Sequence, residues 1–446
     1  MSLVLATPVI PVTTETTIAA VEVLEAESDR CFEQGNLELS LALQEQAMAM
    51  RAQEGNMVAE ANCAHNVGYL NFLTKKYDAA IAAYGRTVWL AKFIADGNRL
   101  ANAYGRLAEV FQFSARHLDA LQAFDLSMEQ LRQKGRLKEI GIVLNNMAVS
   151  HRELGRRNEA VACHERALEI RRALSDHDGL AASLHNMGVL YGDEGQYEQA
   201  LRALQESEEL RIELGDKAGL ARTTLRLGML QEQQGELRKA YALYENALEL
   251  ARDPALLLRD DEAAALNNMG GILIAQGVPG EALTYLLEAQ ALLKDAATPG
   301  HALIHFNLGV AWSALGNHAL ARISYLAAKA LQEQFSDAAG QAASAAAIGV
   351  TYLREHEHDL AQTWLNEALH RQTGSGDDRG CASTLLLLAQ LKEKQACPDE
   401  ATACYKQAEM LSRPVLPTVA AAAPLVSAQQ WELLARNAGY ASLALH

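Results

Sequence analysis

The stretch LHNMGVLYGDEGQYEQALRAL, residues 184–204, decides how this chain folds. Its first half has a helical pattern but contains Asn186 and Gly188, which are both poor helix formers. A close approach between two helices explains the glycine, because any side chain there would hold the helices apart. Gly195 lies just past the first helical run, where glycine commonly ends a helix. The stretch therefore predicts two packed helices joined by a short turn.

The same pattern is repeated along the chain. The position of Ala200, near the start of the second helical run, recurs in ten copies, as alanine in nine of them and as Ser40 in the first. The steps are 40 residues, except for one of 42 and one of 39. When this alanine is numbered position 20 of a 40-residue unit, positions 8, 20 and 27 carry only Gly, Ala, Ser or Thr, and position 24 is bulky in nine of the ten copies. A single hairpin cannot bury such a face, whereas a stack of hairpins can.

This pattern of small residues at 8, 20 and 27 with a large residue at 24 resembles the tetratricopeptide repeat, over residues 21–412. The 40-residue length is similar to the longer variant found in Pins-type cell-polarity adaptors, kinesin light chains and bacterial signalling proteins. The resemblance implies an all-α fold, a right-handed superhelix (α-solenoid) of about ten helical hairpins. We expect an N-terminal tail over 1–20, a Pro/Ala-rich linker over 413–428, and a capping or tail helix over 429–446.

Composition narrows the classes of partner. The formal net charge of −16 disfavours nucleic acid and anionic membrane surfaces, since phosphates are bound by neutralising them with Lys and Arg. The six cysteines form no CxxC pair and predict reduced residues of a cytoplasmic protein. The pair His356 and His358 is interpreted as part of a surface turn. No motif indicates catalysis, a metal or a cofactor, so we expect a protein that is not an enzyme.

Position 6 is polar in seven consecutive units and then becomes apolar. In the resembled family this side of the first helix lines the concave channel, and the resemblance implies that asparagines here face the backbone of a bound peptide. An amide can pair with any peptide bond because it both donates and accepts, and the arginines suit an acidic ligand group. The alternative is that the asparagines bond neighbouring helices and fix the register of the stack. The residues at position 6 are Asn66, Arg106, Asn146, Asn186, Arg226, Asn268 and Asn307.

Other residues predicted to line the channel change in character along the chain. Units two to six offer mostly polar groups, together with the aromatic residues Tyr69, Phe72 and Phe113, and units seven to nine offer mostly apolar residues such as Ile274. This change predicts a ligand with a polar and a hydrophobic part. The further predicted contacts are Tyr69, Asn145, His185, Phe306 and Val310.

The sequence thus predicts a scaffold that binds an extended peptide or a helix of a partner protein. The alternative is a bacterial signalling regulator or peptide sensor that acts in trans on an output protein. The sequence identifies neither the partner nor the pathway, and it leaves the oligomeric state open, with a homodimer as one alternative.

Overall fold

The computed structural model describes residues 14–293 and 298–412. The predicted linker and C-terminal helix, 413–446, lie outside the described residues. The first helix begins at Thr14, so it includes the last part of the predicted N-terminal tail.

The described residues form twenty α-helices and no β-strand. Most have 17 residues and are separated by three, so the sequence repeat of 40 is a pair of helices. The first helix of each pair is called the A helix and the second the B helix. The helices are α1 Thr14–Glu33, α2 Leu37–Gln53, α3 Met57–Leu73, α4 Tyr77–Phe93, α5 Gly97–Phe113, α6 His117–Gln133, α7 Leu137–Glu153, α8 Arg157–Ala173, α9 His177–Asp193, α10 Tyr197–Leu214, α11 Lys217–Gln233, α12 Leu237–Ala251, α13 Arg259–Ala275, α14 Pro279–Leu293, α15 Pro299–Ala314, α16 His318–Gln334, α17 Ala338–Arg354, α18 His358–Ser375, α19 Asp378–Lys394 and α20 Pro398–Ser412.

The chain divides into two compact units, Met1–Leu190 and Tyr191–His446. In the N-terminal unit, α1 to α7 each pack on the next helix in the chain. In the C-terminal unit, α10 to α20 do the same, and A helices two apart in the helix order also contact each other, as α11 and α13 do. Each unit is therefore a stack of helical hairpins, and the predicted all-α tetratricopeptide-type fold is confirmed.

The turns between helices use the left-handed backbone conformation. The glycines predicted to end the A helices adopt it, for example Gly155 with φ 69° and Gly235 with φ 80°. Where the sequence has no glycine at this position, another residue takes the same conformation, as Ala115 does with φ 57° and His356 with φ 62°. His356 therefore lies in a surface turn, as predicted.

The small positions of the repeat are the tightest contacts of the core. All ten residues at position 20 and all ten at position 27 are at most 2% exposed. Position 8 packs on position 24 of the same hairpin: a Cβ added to Gly228 would lie 2.5 Å from Cε1 of Tyr244, and one added to Gly68 would lie 2.9 Å from Tyr84. Glycine is needed at these sites because the large ring occupies the space beside it.

A second glycine motif, which the sequence pattern does not distinguish from the loops, joins one B helix to the next A helix. Asp216, Asp337 and Asp377 each accept a hydrogen bond from the backbone N–H of the glycine three residues later, at 2.9, 2.8 and 2.9 Å. A Cβ on any of these glycines would collide with the aspartate carboxylate. The motif caps the A helix and fixes its start relative to the preceding repeat.

Candidate functional site

The position-6 side chains of the N-terminal unit differ in exposure. Asn66 and Arg106 are exposed, whereas Asn146 and Asn186 are half-buried. Nη1 of Arg106 donates a hydrogen bond to Oε2 of Glu109 at 2.8 Å. Burial lowers the pKa of Arg106, but the opposing effect of the Glu109 carboxylate is larger, so the pKa is raised overall. An acidic ligand group at Arg106 would therefore compete with Glu109.

Asn145 and Asn186 are joined to each other across adjacent A helices. Oδ1 of Asn145 accepts hydrogen bonds from Nδ2 of Asn186 at 3.2 Å and from Oγ of Ser183 at 3.3 Å. Nη1 of Arg171 donates to the same Ser183 hydroxyl at 2.7 Å. These bonds connect α7, α8 and α9. Both amides thus already have hydrogen-bond partners in the neighbouring repeat, as expected from the alternative that the sequence left open.

A matching arrangement exists within the C-terminal unit. Nδ2 of Asn307 donates to Oδ1 of Asn267 at 2.9 Å, and Nδ2 of Asn267 donates to Oδ1 of Asn268 at 3.3 Å. Asn307 is only 1% exposed and Asn267 only 4%. A ligand could reach the Asn307 amide only if the surrounding helices moved apart.

Tyr244 connects this amide cluster to an acidic side chain. Its hydroxyl donates a hydrogen bond to Oε2 of Glu232 at 2.7 Å and also interacts with the side chain of Asn268. Burial is the main cause that raises the pKa of both Tyr244 and Glu232. Arg226, the position-6 residue of the same hairpin, is half-buried beside Met229. The predicted ligand contacts Arg226 and Asn268 therefore belong to a partly buried polar network.

The predicted apolar half of the channel is largely core. Phe306 and Val310 are half-buried and pack against the cluster that contains Tyr325 and Ile348, and the ring centroids of Phe306 and Tyr325 lie 5.4 Å apart. Ile274, which was also expected to line the channel, is 4% exposed. The ligand role of Phe306 and Val310 stays a prediction, but the surface they offer is small.

Several exposed aromatic side chains lie in the N-terminal unit on the A helices α1, α3 and α5, while others, such as Phe93, lie on B helices. Phe32 and Tyr69 are 39% and 38% exposed with ring centroids 6.1 Å apart, and Phe113, which is 65% exposed, packs edge-on against Phe72 at 5.0 Å. We call these four residues the aromatic strip. The sequence predicts channel positions for Tyr69, Phe72 and Phe113. It does not single out Phe32, and it predicts a mostly polar surface in this half of the channel. The sequence signal for this strip is the aromatic residue that each of the first three repeats carries at position 12 or 13.

Polar and titratable side chains lie near the aromatic strip. Arg106 and Glu109 form an ion pair. His65, which lies between Asn62 and Tyr69 on the same side of α3, contacts Tyr84 with ring centroids 5.3 Å apart. Burial, followed by the charges of Arg106 and Arg99, lowers the pKa of His65, so the imidazole is neutral at pH 7. Asn66 is the exposed amide beside the strip, and His185 is half-buried further along the same unit.

The described part of the chain holds no group of three or more His, Cys, Asp or Glu side chains that could bind a metal ion. His356 and His358 lie with ring centroids 6.2 Å apart. None of the described helices is both long enough and apolar enough to cross a membrane.

Comparison with known proteins supports the repeat assignment. Two family models described as Tetratricopeptide repeat match residues 139–213 and 223–258. No curated protein sequence matches the chain.

Solved structures with the same fold are distant in sequence. A signal transduction ATPase with a tetratricopeptide repeat sensor from Pyrococcus horikoshii is 14% identical, with a TM-score of 0.55 over 75% of this chain and 53% of that one. Aspartyl phosphate phosphatase F from Bacillus subtilis is 13% identical, with a TM-score of 0.51 over 81% and 96%. A Rap protein complexed with Competence and Sporulation Factor is 15% identical, with a TM-score of 0.50 over 80% and 98%. These likenesses concern the fold.

Proposed function

This chain is a tetratricopeptide-repeat protein, and from that premise we propose that its N-terminal unit binds a segment of a partner protein along the aromatic strip. The segment carries at least two apolar anchor side chains, one for Phe32 and Tyr69 and one for Phe72 and Phe113. The proposal involves recognition alone and no chemical step.

The observation that carries this proposal is the exposure of the strip. Exposed apolar side chains that cluster on one surface commonly mark interaction sites, and aromatic residues are frequent among those that contribute most to binding. Phe113 keeps 65% of its surface exposed although its ring is held in place by Phe72. A ring that is already ordered loses little conformational entropy when a partner covers it.

The exposed polar residues beside the strip supply orientation. Asn66 can pair with the backbone of an extended or helical segment, since its amide both donates and accepts. The guanidinium group of Arg106 can pair with an acidic side chain of the partner. That side chain would either displace Glu109 from Arg106 or share Arg106 with it. The proposal gives no ligand contact to Asn145 and Asn186, because their side chains already bond each other across repeats. It also gives none to Asn146 and His185.

The test is a peptide-display selection against the purified chain, with counter-selection on the variant Phe113→Ser. The matched control is Phe93→Ser, because Phe93 is also the last residue of its helix, is also 65% exposed and lies on the B helix α4. We expect enriched peptides with two apolar anchors that fail to bind Phe113→Ser and still bind Phe93→Ser. Peptides that bind both variants equally would reject the strip as the site.

A second candidate function is that of a sensor that acts on another protein in trans. One structural neighbour contains a tetratricopeptide repeat sensor within a signal transduction ATPase, and another was solved in complex with Competence and Sporulation Factor. In this version the bound segment would change the conformation of the stack. Small-angle scattering of the chain with and without a selected peptide separates the two: an unchanged profile favours the scaffold and a changed profile favours the sensor.

A further inference from the structure

The C-terminal unit contains a groove between the B helices α10 and α12, with the A helix α11 as its floor. Its volume is about 460 Å³, and its lining includes Glu208, Ile212, Leu220, Thr224 and Glu249. Known ligand pockets commonly have volumes from about 300 to 1,000 Å³. No residue of the aromatic strip belongs to this groove.

The groove lies at a junction where the repeated apolar packing pair is replaced by polar residues, as it also is at Gln290 and His305. Position 28 of a repeat packs with position 4 of the next, and both are usually apolar and share one hydrophobic cluster, as Met128 and Leu144 do, and likewise Leu248 and Leu266. At the α10–α11 junction the equivalent residues are Glu208 and Thr224. Oγ1 of Thr224 lies 3.4 Å from Oε1 of Glu208, within reach as a donor. A carboxylate at a packing position is a local inconsistency of the kind found at functional sites.

The charge of the groove is unbalanced. Its lining contains three carboxylates, Glu208, Glu249 and Asp253, against one ammonium group, that of Lys217. Lys217 is paired with Asp253 at 3.1 Å. In the described part of the chain neither Glu208 nor Glu249 forms an ion pair. Burial is the main cause that raises the pKa of Glu208; the hydrogen bond from Thr224 lowers it in part, and the charge of Glu209 raises it.

Apolar side chains complete the lining. Leu220 and Leu250 are half-buried, and Ile212 at the rim is 61% exposed. These residues can contact a hydrocarbon stem, while the carboxylates receive a positive head group. Lysine and arginine side chains have this construction of apolar stem and charged end.

We propose that this groove binds an alkyl cation, an ammonium or guanidinium group on an apolar stem, with Glu208 and Glu249 receiving the charge and Ile212, Leu220 and Leu250 contacting the stem. The same chemistry is offered by a small free amine and by a lysine or arginine side chain of a partner protein. The groove is independent of the function proposed for the aromatic strip.

The test is isothermal titration calorimetry of the full chain at low ionic strength with four probes. Pentylamine and 1-pentanol share a stem and differ in charge, and a blocked tripeptide with a central lysine is compared with its norleucine counterpart. We expect the cationic probe of at least one pair to bind and the neutral probe of that pair to bind at least tenfold more weakly. Binding of pentylamine alone identifies a free amine as the ligand, and binding of the lysine peptide alone identifies a protein side chain.

The decisive variant is Glu208→Leu combined with Thr224→Leu, because it restores the apolar pair found at other junctions, such as Leu168 and Leu184. We expect it to fold, with a melting temperature equal to or above that of the unmodified chain, and to lose cation binding. Unchanged binding by this variant, or no cationic probe bound at millimolar concentration by the unmodified chain, would overturn the proposal. Failure of the aromatic-strip variants to change peptide binding would leave this result unaffected.

Discussion

The side-chain amide of Asn186 donates a hydrogen bond of 3.2 Å to Oδ1 of Asn145, one repeat earlier in the chain. The equivalent bond in the C-terminal unit joins Asn307 to Asn267 at 2.9 Å. Asparagine is a poor helix former, so its repeated use on A helices needs an explanation beyond helix stability. In these two places the explanation is a bond between neighbouring repeats, which favours one register of the stack.

Removing such a buried amide should destabilise the chain. Asn307→Ala leaves Oδ1 of Asn267 without its donor, and we expect a loss of about 1–3 kcal/mol in the free energy of unfolding, typical of a buried polar group that loses its partner. Asn66→Ala is the control, since Asn66 holds the same repeat position but is exposed, and it should change stability by no more than about 0.5 kcal/mol. Urea denaturation followed by circular dichroism measures both. Equal effects of the two variants would contradict the structural role of Asn307.

Two adjacent glycines in α13 should respond oppositely to alanine. A Cβ on Gly270 would lie 2.8 Å from Cγ of Leu286, whereas one on Gly271 would meet nothing within 4 Å. Gly270→Ala should therefore overpack the hairpin and cost about 1–3 kcal/mol. Gly271→Ala should stabilise by about 0.5–1 kcal/mol, because alanine is the better helix former. Thermal melts of both variants check the register of the repeat alignment, and a stabilising Gly270→Ala would show that it is wrong.

His164 should make the N-terminal unit sensitive to acid. It is 2% exposed, and burial, followed by the charges of Arg152 and Arg171, lowers its pKa to about 4. The unfolded chain protonates this histidine near pH 6.5, so it binds more protons than the folded chain between pH 6.5 and 4, and stability falls as the pH falls through that range. At pH 5 the loss relative to pH 7.5 should be about 2 kcal/mol.

His164→Phe should remove this part of the pH dependence. Phenylalanine is tolerated at position 24 beside an alanine at position 8, since Phe124 and Ala108 form that pair in the preceding repeat. Unfolding in urea at pH 7.5 and pH 5 should show a smaller difference for the variant than for the unmodified chain. His305, whose pKa burial also lowers to about 4, remains and accounts for part of the residual slope. If the free energy of unfolding changed equally with pH in the variant and in the unmodified chain, His164 would not be buried in its neutral form.

The turn after α5 should be improved by glycine. Ala115 has φ 57°, a left-handed conformation that costs L-residues about 1–2 kcal/mol and glycine almost nothing. Ala115→Gly should therefore stabilise by about 1 kcal/mol. The reciprocal control is Gly155→Ala at the same position of the next repeat, where φ is 69° and no atom lies within 4 Å of an added Cβ. Since an added Cβ at Gly155 meets no atom, the cost of Gly155→Ala comes from the left-handed backbone alone, and we expect a destabilisation of similar size. If both variants shifted the free energy of unfolding in the same direction, the backbone explanation would be contradicted.

The fold could be predicted from the sequence because packing between hairpins restricts residue size at fixed spacing. Small residues such as Ala200 and Ala240 leave no room for substitution, since both are fully buried. The turn residues were predictable where glycine marks them, as at Gly235, but Ala115 takes the same conformation without a sequence signal, because the neighbouring helices impose it.

The candidate site was less predictable. Asn66 and Asn307 are the same residue type at the same repeat position, yet the amide of Asn66 is exposed and that of Asn307 is buried against a neighbouring repeat. The sequence of one repeat cannot distinguish the two, because only the side chains of neighbouring repeats differ. Likewise Ile274 and Phe113 both occupy channel positions in the sequence pattern, yet one is 4% and the other 65% exposed. Exposure depends on contacts between repeats, which a single repeat does not encode.

The measurement that tests the central claim most directly is the dissociation constant of one display-selected peptide for the unmodified chain, Phe113→Ser and Phe93→Ser, by fluorescence anisotropy. Both phenylalanines are 65% exposed, so neither variant should lower the melting temperature appreciably. If the partner binds along the aromatic strip, Phe113→Ser should raise the dissociation constant at least tenfold, a loss of about 1.4 kcal/mol in binding free energy. Phe93→Ser should leave the dissociation constant unchanged. An unchanged dissociation constant for Phe113→Ser would contradict the proposal that this surface binds the partner.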